Sequence, residues 1–540
     1  MTQEKNTPSA RPAAWSLAGL VVLALLLYWV GNDRTPLWDR DEPRFAEATR
    51  RMLETRDFVV PEFHGQLRPD KPVLGYWFMA AGMSLFGAGE FGVRFFSGIF
   101  AALSVVVLWR LARSMTGSDR LAFWAAAMLA TAPVMFVQGK LCTVDAGLLF
   151  WLLLSFSGLW KIWQGPCGAG ARVLFWAPLA LAMITKGPVA LAAVFMPVVI
   201  LGIFAADRSF LKRMGWIWGV PLFLAICLPW AWSVQVRTGG EFLRLSLGRH
   251  VVERTRAPLE GHSGFPGFYV ATLFGTFFPW AFFVPGAIWS VFGGLREKKL
   301  ELFLVAWAVG LVIILEFVRT KMVHYSLPVF PALAILVALF IEDNLRGRLV
   351  AAGAWSAFVM AVVLAVAAPV AVGVVGMEAA VFPMAGAGVI LVGGMLAAAL
   401  GAKSGLWRGR ALGAVAGWLF VIAAWGLPMV GSYGSTPAVM AAIVRARAHL
   451  QADAGVATLG YSEPSLVFYL GGDVDVIAGA DDFQADPVVD TPRIVVVEQR
   501  RSEVVEELEG RVMVEWDRFR GFNFAPGRWQ DFTLYLDYGG

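Results

Sequence analysis

AWSLAGLVVLALLLYWVGNDRTPLWDRDEPRFAEATRRM, residues 14–52, sets the terms for the whole chain. Residues 14–31 carry no charge, and as a helix they reach about 27 Å, close to the about 30 Å hydrocarbon core of a bilayer. Residues 32–52 then crowd Asp39, Arg40, Asp41, Glu42 and Arg44 directly behind that helix. Lys5 and Arg11 precede the apolar run and no A-x-A pattern follows it, so it reads as a retained first span and not as a cleaved leader.

The apolar pattern recurs along the chain. Of 540 residues, 58% are hydrophobic and 16% charged, too little polar surface for a soluble protein of this length. Runs at 14–31, 92–113, 120–136, 143–163, 171–186, 188–206, 213–232, 267–293, 300–318, 325–342, 348–372, 380–401 and 409–430 predict about thirteen membrane helices. The run 73–88 is short and follows a proline and a charged stretch, which predicts an interfacial helix. The net charge of +5 gives no nucleic-acid signal, because the basic residues sit in short loops. Cys142, Cys167 and Cys227 are odd in number and scattered, so no disulfide framework is implied.

Charge sets an orientation. Alternate loops hold Arg110, Arg113 and Arg120, then Lys161 and Arg172, then Arg208, Lys212 and Arg213, then Arg296, Lys298 and Lys299, then Arg346 and Arg348, then Lys403, Arg408 and Arg410. This is a consistent positive-inside side and makes the N-terminus cytoplasmic. Loops 32–91 and 233–266, the segment 319–324 and the C-terminus fall outside. Residues 1–430 therefore read as a membrane domain and 431–540 as a soluble α/β domain. In the latter, Ser435-Thr436-Pro437 opens a helix; GVATLG, SLVFYL, VDVIAG, RIVVVEQ, VMVEW and FTLYLD read as strands; and RRSEVVEELEG reads as a helix closed by Gly510. The fold class is an all-α polytopic membrane protein with a small C-terminal α/β domain.

The span interiors are almost free of ionisable residues, which disfavours a carrier and favours chemistry at the membrane face. In the opening stretch Asp39 or Asp41 is placed to cap a helix, with Pro43 in its first turn. Phe45, Thr49, Met52 and Leu53 share one face, as in a helix lying on a bilayer. Asp41 is then either a cap alone or a working carboxylate, with Glu42 and Arg44 beside it. RPDKPVLGYW, 68–77, brings Lys71 to the height of a lipid phosphate or of an ordinary headgroup. VDAGLLFW places Asp145 about one turn inside an outer mouth, and ITKGPVAL places Lys186 at another. RTKMVHYSLP packs Lys321, His324 and Tyr325 before a span, where cations and a phenol suit a phosphate. Arg254 and His262 lie in loop 233–266. His64, Asp70 and His262 are metal-ligand types, but their spacing carries no metal signature.

Taken in order, LWDRDEPRFAEATRRM, VVPEFHGQLRPDKPVLGYW, FGVRFFSG, VDAGLLFW, ITKGPVAL, LPWAWSV, FFPW and KMVHYSLPVFPALAIL resemble the bacterial lipid A aminoarabinose transferases and the wider protein-mannosyltransferase-like family of polyprenyl-phosphate-sugar glycosyltransferases. The likeness is good over 14–342 and architectural beyond. It implies the large membrane glycosyltransferase (GT-C) fold in a bacterial inner membrane, with the active site at the periplasmic face. It implies a polyprenyl (undecaprenyl) phosphate-sugar donor and a lipid A, glycan or protein acceptor, with inversion at the anomeric carbon. It implies Asp41 and Asp145 as functional carboxylates. Lys71 and Tyr325 would lie near the donor phosphate, supported by Lys321 and Arg254, with Glu42, Arg44, His324 and Lys186 as further site residues. It implies a zinc or magnesium ion near Asp70 and His262. Asp70 stands where those enzymes often have Glu, and Arg249-His250 where they have a Glu-His pair, which puts the metal and the choice of sugar or acceptor in doubt.

Overall fold

The apolar runs fold as helices, two of them interrupted at prolines. The computed structural model describes residues 10–248, 264–292, 295, 297–345, 347–402, 406–451, 454–471, 474–477, 492–501 and 512–538. Among the described residues nine helices are long and apolar enough to cross a bilayer: Glu90–Thr116, Asp145–Gln164, Ala169–Lys186, Trp216–Arg237, Lys299–Phe317, Val323–Asp343, Arg348–Val374, Glu378–Leu400 and Trp407–Ser432. A further crossing is bent by 62° between Asp119–Ala130 and Pro133–Lys140. Ala132 is extended there and Pro133 brings no N–H, so the hydrogen-bond ladder stops and restarts. Ser16–Trp29, Val189–Phe204 and Trp280–Val291 are shorter apolar helices in the remaining predicted runs. Leu74–Phe86, at 13 residues and about 20 Å, is too short to cross.

A second predicted span is broken as well. The sequence reads 267–293 as a single helix, whereas Phe268–Thr276 stops, the chain turns through Pro279, and Val284–Val291 resumes. Pro279 has no N–H to offer and disfavours helical geometry at Phe278, and the surrounding apolar residues hide that interruption.

The helices divide into inner and outer sets. Most of Val323–Asp343 (78%) and Asp145–Gln164 (72%) is buried by neighbours, against 11% for Arg348–Val374 and Trp216–Arg237, so the inner pair can carry a site. Small residues allow this packing: a Cβ on Gly158 would lie 2.4 Å from the backbone nitrogen of Phe175.

Behind the first span the chain is fastened by Arg94, wholly buried on Glu90–Thr116. Its guanidinium donates to the carbonyls of Asn32 (3.0 Å), Thr35 (2.6 Å) and Pro36 (2.9 Å) and to both Glu42 oxygens (2.9 and 2.6 Å). Helix Asp41–Thr55 follows. Phe45, Thr49 and Met52 are buried and Leu53 half-buried, as the apolar face requires. Glu42 and Glu47 are buried as well, because the helix packs against Leu74–Phe86 and a helix of the soluble domain. It is therefore enclosed by protein on sides that a helix lying on a bilayer would leave to water. The predicted cap is also absent: Arg40 holds the N-cap position without a capping side chain, and Asp39 bonds elsewhere.

The soluble domain is a five-stranded sheet whose strands lie side by side in the order Val474–Ile477, Val456–Leu459, Arg493–Glu498, Arg528–Asp537 and Met513–Asn523. Its strands are β3 (Val456–Leu459), β4 (Val474–Ile477), β5 (Arg493–Glu498), β6 (Met513–Asn523) and β7 (Arg528–Asp537), with a β1–β2 hairpin (Glu62–Phe63, Gln66–Leu67) lying in the first loop. β3 runs parallel to β4 and β5; β7 is antiparallel to β5 and β6. Helix Ser435–Leu450 packs on one face, where Val439, Ala442, Ile443 and Ala446 meet Val456, Ile494, Leu534 and Leu536. The strand expected at SLVFYL is instead helix Pro464–Tyr469. Its apolar run has no alternation to distinguish strand from helix, and Pro464 suits a first helical turn. The RRSEVVEELEG helix lies largely outside the described residues, which show one 3-10 turn at Gln499–Arg501.

Candidate active site

A cavity of about 460 Å³ opens where the first loop, two inner helices and the 320–325 segment converge. The first loop contributes Trp38, Asp39, Arg40, Asp41, Glu42, Arg44, Arg68, Asp70 and Lys71; the helix starting at Asp145 and the preceding turn contribute Asp145 and Thr143; further walls hold Gln138, Lys186, Thr320, His324 and Tyr325. Asp41, Asp145, Lys71, Tyr325, Glu42, Arg44, His324, Lys186 and Asp70, all singled out from sequence, meet there. Residues as far apart as Trp38 and Tyr325 line one space, which the fold alone accomplishes.

The charges within it are arranged with purpose. Lys186 Nζ donates to Asp145 Oδ1 at 2.5 Å, and His324 Nε2 lies 3.9 Å from Asp145 Oδ2. Lys186 also sits 4.8 Å from the centroid of the Tyr325 ring, and that ring meets His324 edge-on. Lys71 is close enough to act electrostatically on both Asp145 and His324. One carboxylate is thus ringed by two lysines and a histidine, an arrangement with room for a second anion. Across the cavity Arg68 donates to the Tyr76 hydroxyl at 3.0 Å, pairs with Asp70 at 3.2 Å and stacks 4.9 Å over Phe45. Lys71 donates to the Asp70 carbonyl at 3.1 Å.

Neighbouring acids do different work. Asp41 is exposed where it lines the cavity. Glu42 accepts from Arg94, from the Cys142 amide (2.7 Å) and from the Trp38 amide (3.0 Å), so its carboxylate is fully occupied holding the loop.

Lys321, expected beside the phosphate, is not among the lining residues. Its ammonium binds Glu316 and the Phe265 carbonyl (3.3 Å), while Glu316 accepts the amides of Gly267 and Tyr269 at 3.1 Å each. Lys321 and Glu316 together fasten the entrance to Phe268–Thr276. Arg254 and His262 lie outside the described residues, as do Arg249 and His250. Among the described residues no group of three His, Cys, Asp or Glu side chains could hold a metal. The Asp70 carboxylate pairs with Arg68, and His262, the other residue expected at a metal, lies outside the described residues.

Sequence reading missed Arg94, although FGVRFFSG was conspicuous, because its partners lie more than 50 positions away. It also missed Gln138. That residue is buried, its amide oxygen accepts from Thr143 Oγ1 at 2.7 Å, and among the described residues nothing accepts from its amide nitrogen. No signal in the surrounding VMFVQGKL marks it.

A polytopic bundle with a polar cavity at one end, under a small α/β domain, defines the class: this is the membrane glycosyltransferase (GT-C) fold. The chain superposes on the crystal structure of ArnT from Cupriavidus metallidurans bound to undecaprenyl phosphate with a TM-score of 0.79, at 22% identity, covering 96% of this chain and 98% of that one. Residues 13–240 match the family described as dolichyl-phosphate-mannose-protein mannosyltransferase. The chain is similar to the undecaprenyl phosphate-alpha-4-amino-4-deoxy-L-arabinose arabinosyl transferases of Aeromonas hydrophila (30% identity over 338 residues, 61% of this chain and 60% of that protein) and of Pseudomonas aeruginosa strain UCBPP-PA14 (30% over 343 residues, 62% and 61%). The match thus spans about three-fifths of the length of those relatives.

Proposed function

We propose that this protein is an inner-membrane glycosyltransferase that moves a sugar from an undecaprenyl-phosphate donor to an acceptor at the periplasmic face, with lipid A or a related envelope glycolipid as the favoured acceptor. The observation that carries the proposal is the cavity itself. It places Asp41, Arg44, Lys71, the Asp145–Lys186 pair, His324 and Tyr325 around one space at the end of a membrane bundle. The similarity to transferases named for an undecaprenyl-phosphate sugar supports the donor class. Positive loops on the opposite side support a cytoplasmic N-terminus and a periplasmic soluble domain.

In this reading the lipid tail stays in the bilayer and the sugar enters the cavity. An acceptor oxygen forms a bond to the anomeric carbon on the face opposite the phosphate. The bond from that carbon to the phosphate oxygen breaks, its electron pair leaves with polyprenyl phosphate, and the configuration inverts. Lys71, Arg44 and Tyr325 stabilise the growing phosphate charge. Asp145, paired with Lys186 and His324, also attracts Lys71 and so helps to hold it at the cavity. Asp41 takes the proton of a hydroxyl acceptor; if the acceptor is a phosphate, already anionic, Asp41 orients it and stabilises positive charge on the sugar. A chelator should leave transfer unchanged; loss restored by zinc or magnesium would place an ion at Asp70 and His262.

The reading is tested by purifying the protein and supplying undecaprenyl-phosphate-linked aminoarabinose and lipid A. Released undecaprenyl phosphate together with a modified lipid A mass is the expected result. Movement of intact donor across proteoliposomes with no sugar transfer would instead make the protein a carrier.

A further inference from the structure

The soluble domain does more than sit above the cavity: it holds one of its walls. Ser465 donates to Asp39 twice, from its backbone nitrogen (2.9 Å) and from its hydroxyl (2.5 Å). That hydroxyl lies 2.5 Å from Thr436 Oγ1, which lies 2.6 Å from the Tyr461 hydroxyl, giving a buried chain of hydroxyls behind the carboxylate. The Tyr469 hydroxyl accepts from the Leu37 amide (3.0 Å) and donates to Glu90 (2.8 Å). Glu463 lies 3.5 Å from Arg40, and Phe524 meets the Trp38 ring edge-on. Apart from the Tyr469–Glu90 bond, these contacts fall on residues 37–40, and Trp38, Asp39 and Arg40 also line the cavity together with Asp41. Glu42, the next residue, is fixed by Arg94. Asp41 is therefore held between two anchors, one from the membrane domain and one from the soluble domain.

We propose that the soluble domain is a working part of the transfer site, and that Asp39 is the positioning residue through which Ser465 sets the place of the Asp41 carboxylate. The inference rests on the glycosyltransferase reading above and assigns the C-terminal domain a role in it. The groups facing Asp39 are Ser465, Thr436, Tyr461 and Glu463 from the soluble domain and Arg40 and Arg44 from the loop and its helix. Burial raises the Asp39 carboxyl to about 7; the Ser465 hydrogen bonds oppose the rise and Glu463 adds to it. A carboxyl raised in the docked state favours docking most fully below its ordinary value near 3.8, and that contribution is lost as pH climbs through about 7.

The experiment uses the full chain in lipid nanodiscs, with Ser465→Ala, Ser465→Thr and Asp39→Asn. Hydrogen exchange of the segment 36–45 reads the grip without reference to any reaction. The turnover number and KM for the undecaprenyl-phosphate-linked donor, measured across pH, read its consequence. Ser465→Ala should speed exchange in 36–45 by about fivefold and lower kcat by about tenfold, with donor KM within about twofold. Ser465→Thr should recover most of both, and Asp39→Asn should flatten the limb of the kcat profile near neutral pH. Unchanged exchange in Ser465→Ala would overturn the grip whether or not the chain is a transferase. Faster exchange with unaltered kcat would overturn the positioning role. A wild-type chain that transfers no sugar would sink the glycosyltransferase reading, and with it the positioning role, while the exchange measurement still decides the grip. If Ser465→Ala does not fold, an Asp39→Asn profile identical to wild type overturns the positioning role.

Discussion

Asp41 and Glu42 are adjacent in sequence and serve different regions. Glu42 also borders the cavity, but Arg94 and two backbone amides in the corner behind the first loop occupy its carboxylate. Asp41 lines the open cavity among Arg44, Lys71 and the Asp145–Lys186 pair. In the corner the Glu42 carboxylate has its hydrogen bonds complete; the cavity is open and rich in charge. A buried ion pair with its hydrogen bonds complete fixes backbone geometry, whereas charge left facing a cavity is disposed toward something that enters it.

The comparison breaks most visibly at Arg94. Arg94→Ala leaves Glu42 buried without its partner and three loop carbonyls without a donor, and the expected cost is about 3–5 kcal/mol, seen as poor recovery from membranes or a large drop in thermal midpoint. An Arg94→Ala protein as stable as wild type would remove the corner from the account. Lys71→Ala should leave stability near wild type and weaken donor binding by about tenfold or more, measured with a labelled undecaprenyl-phosphate sugar. Unchanged affinity would move the phosphate elsewhere in the cavity. Lys321→Met tests the same division from the far side: it should destabilise the 264–276 segment without changing donor affinity, since the ammonium serves Glu316 and not the cavity. The smallest effect is expected at Gln138. Gln138→Leu removes one cavity-facing amide of nearly the same size and should raise KM for the donor or the acceptor by about three- to tenfold with kcat little changed. If both KM values stay fixed, Gln138 is part of the wall and no more.

The bundle was legible because membrane helices advertise themselves: about 20 apolar residues admit few other readings. Pro279 broke one such run without lowering its hydropathy, and SLVFYL offered an apolar run with neither alternation nor helical period, so those two elements were misread. The site was legible as far as residue type and order carry it. Asp41, Lys71, Asp145, Lys186, His324 and Tyr325 each stood beside a span end, and the fold gathers them. What sequence does not reveal is direction. One helical step of about 100° separates Asp41 from Glu42, and nothing in WDRDEP says which carboxylate Arg94 occupies and which stays open to the cavity. Nor does it reveal distant partners such as Glu42 for Arg94 or Asp39 for Ser465.

The central claim is that Asp41, and not its neighbour, performs the chemistry of the cavity. Sugar transfer from undecaprenyl-phosphate donor, measured in Asp41→Asn alongside its thermal unfolding midpoint, tests it most directly. Transfer reduced by about a hundredfold or more in a protein whose midpoint matches wild type is the predicted result. Transfer at the wild-type rate in that variant would contradict the account.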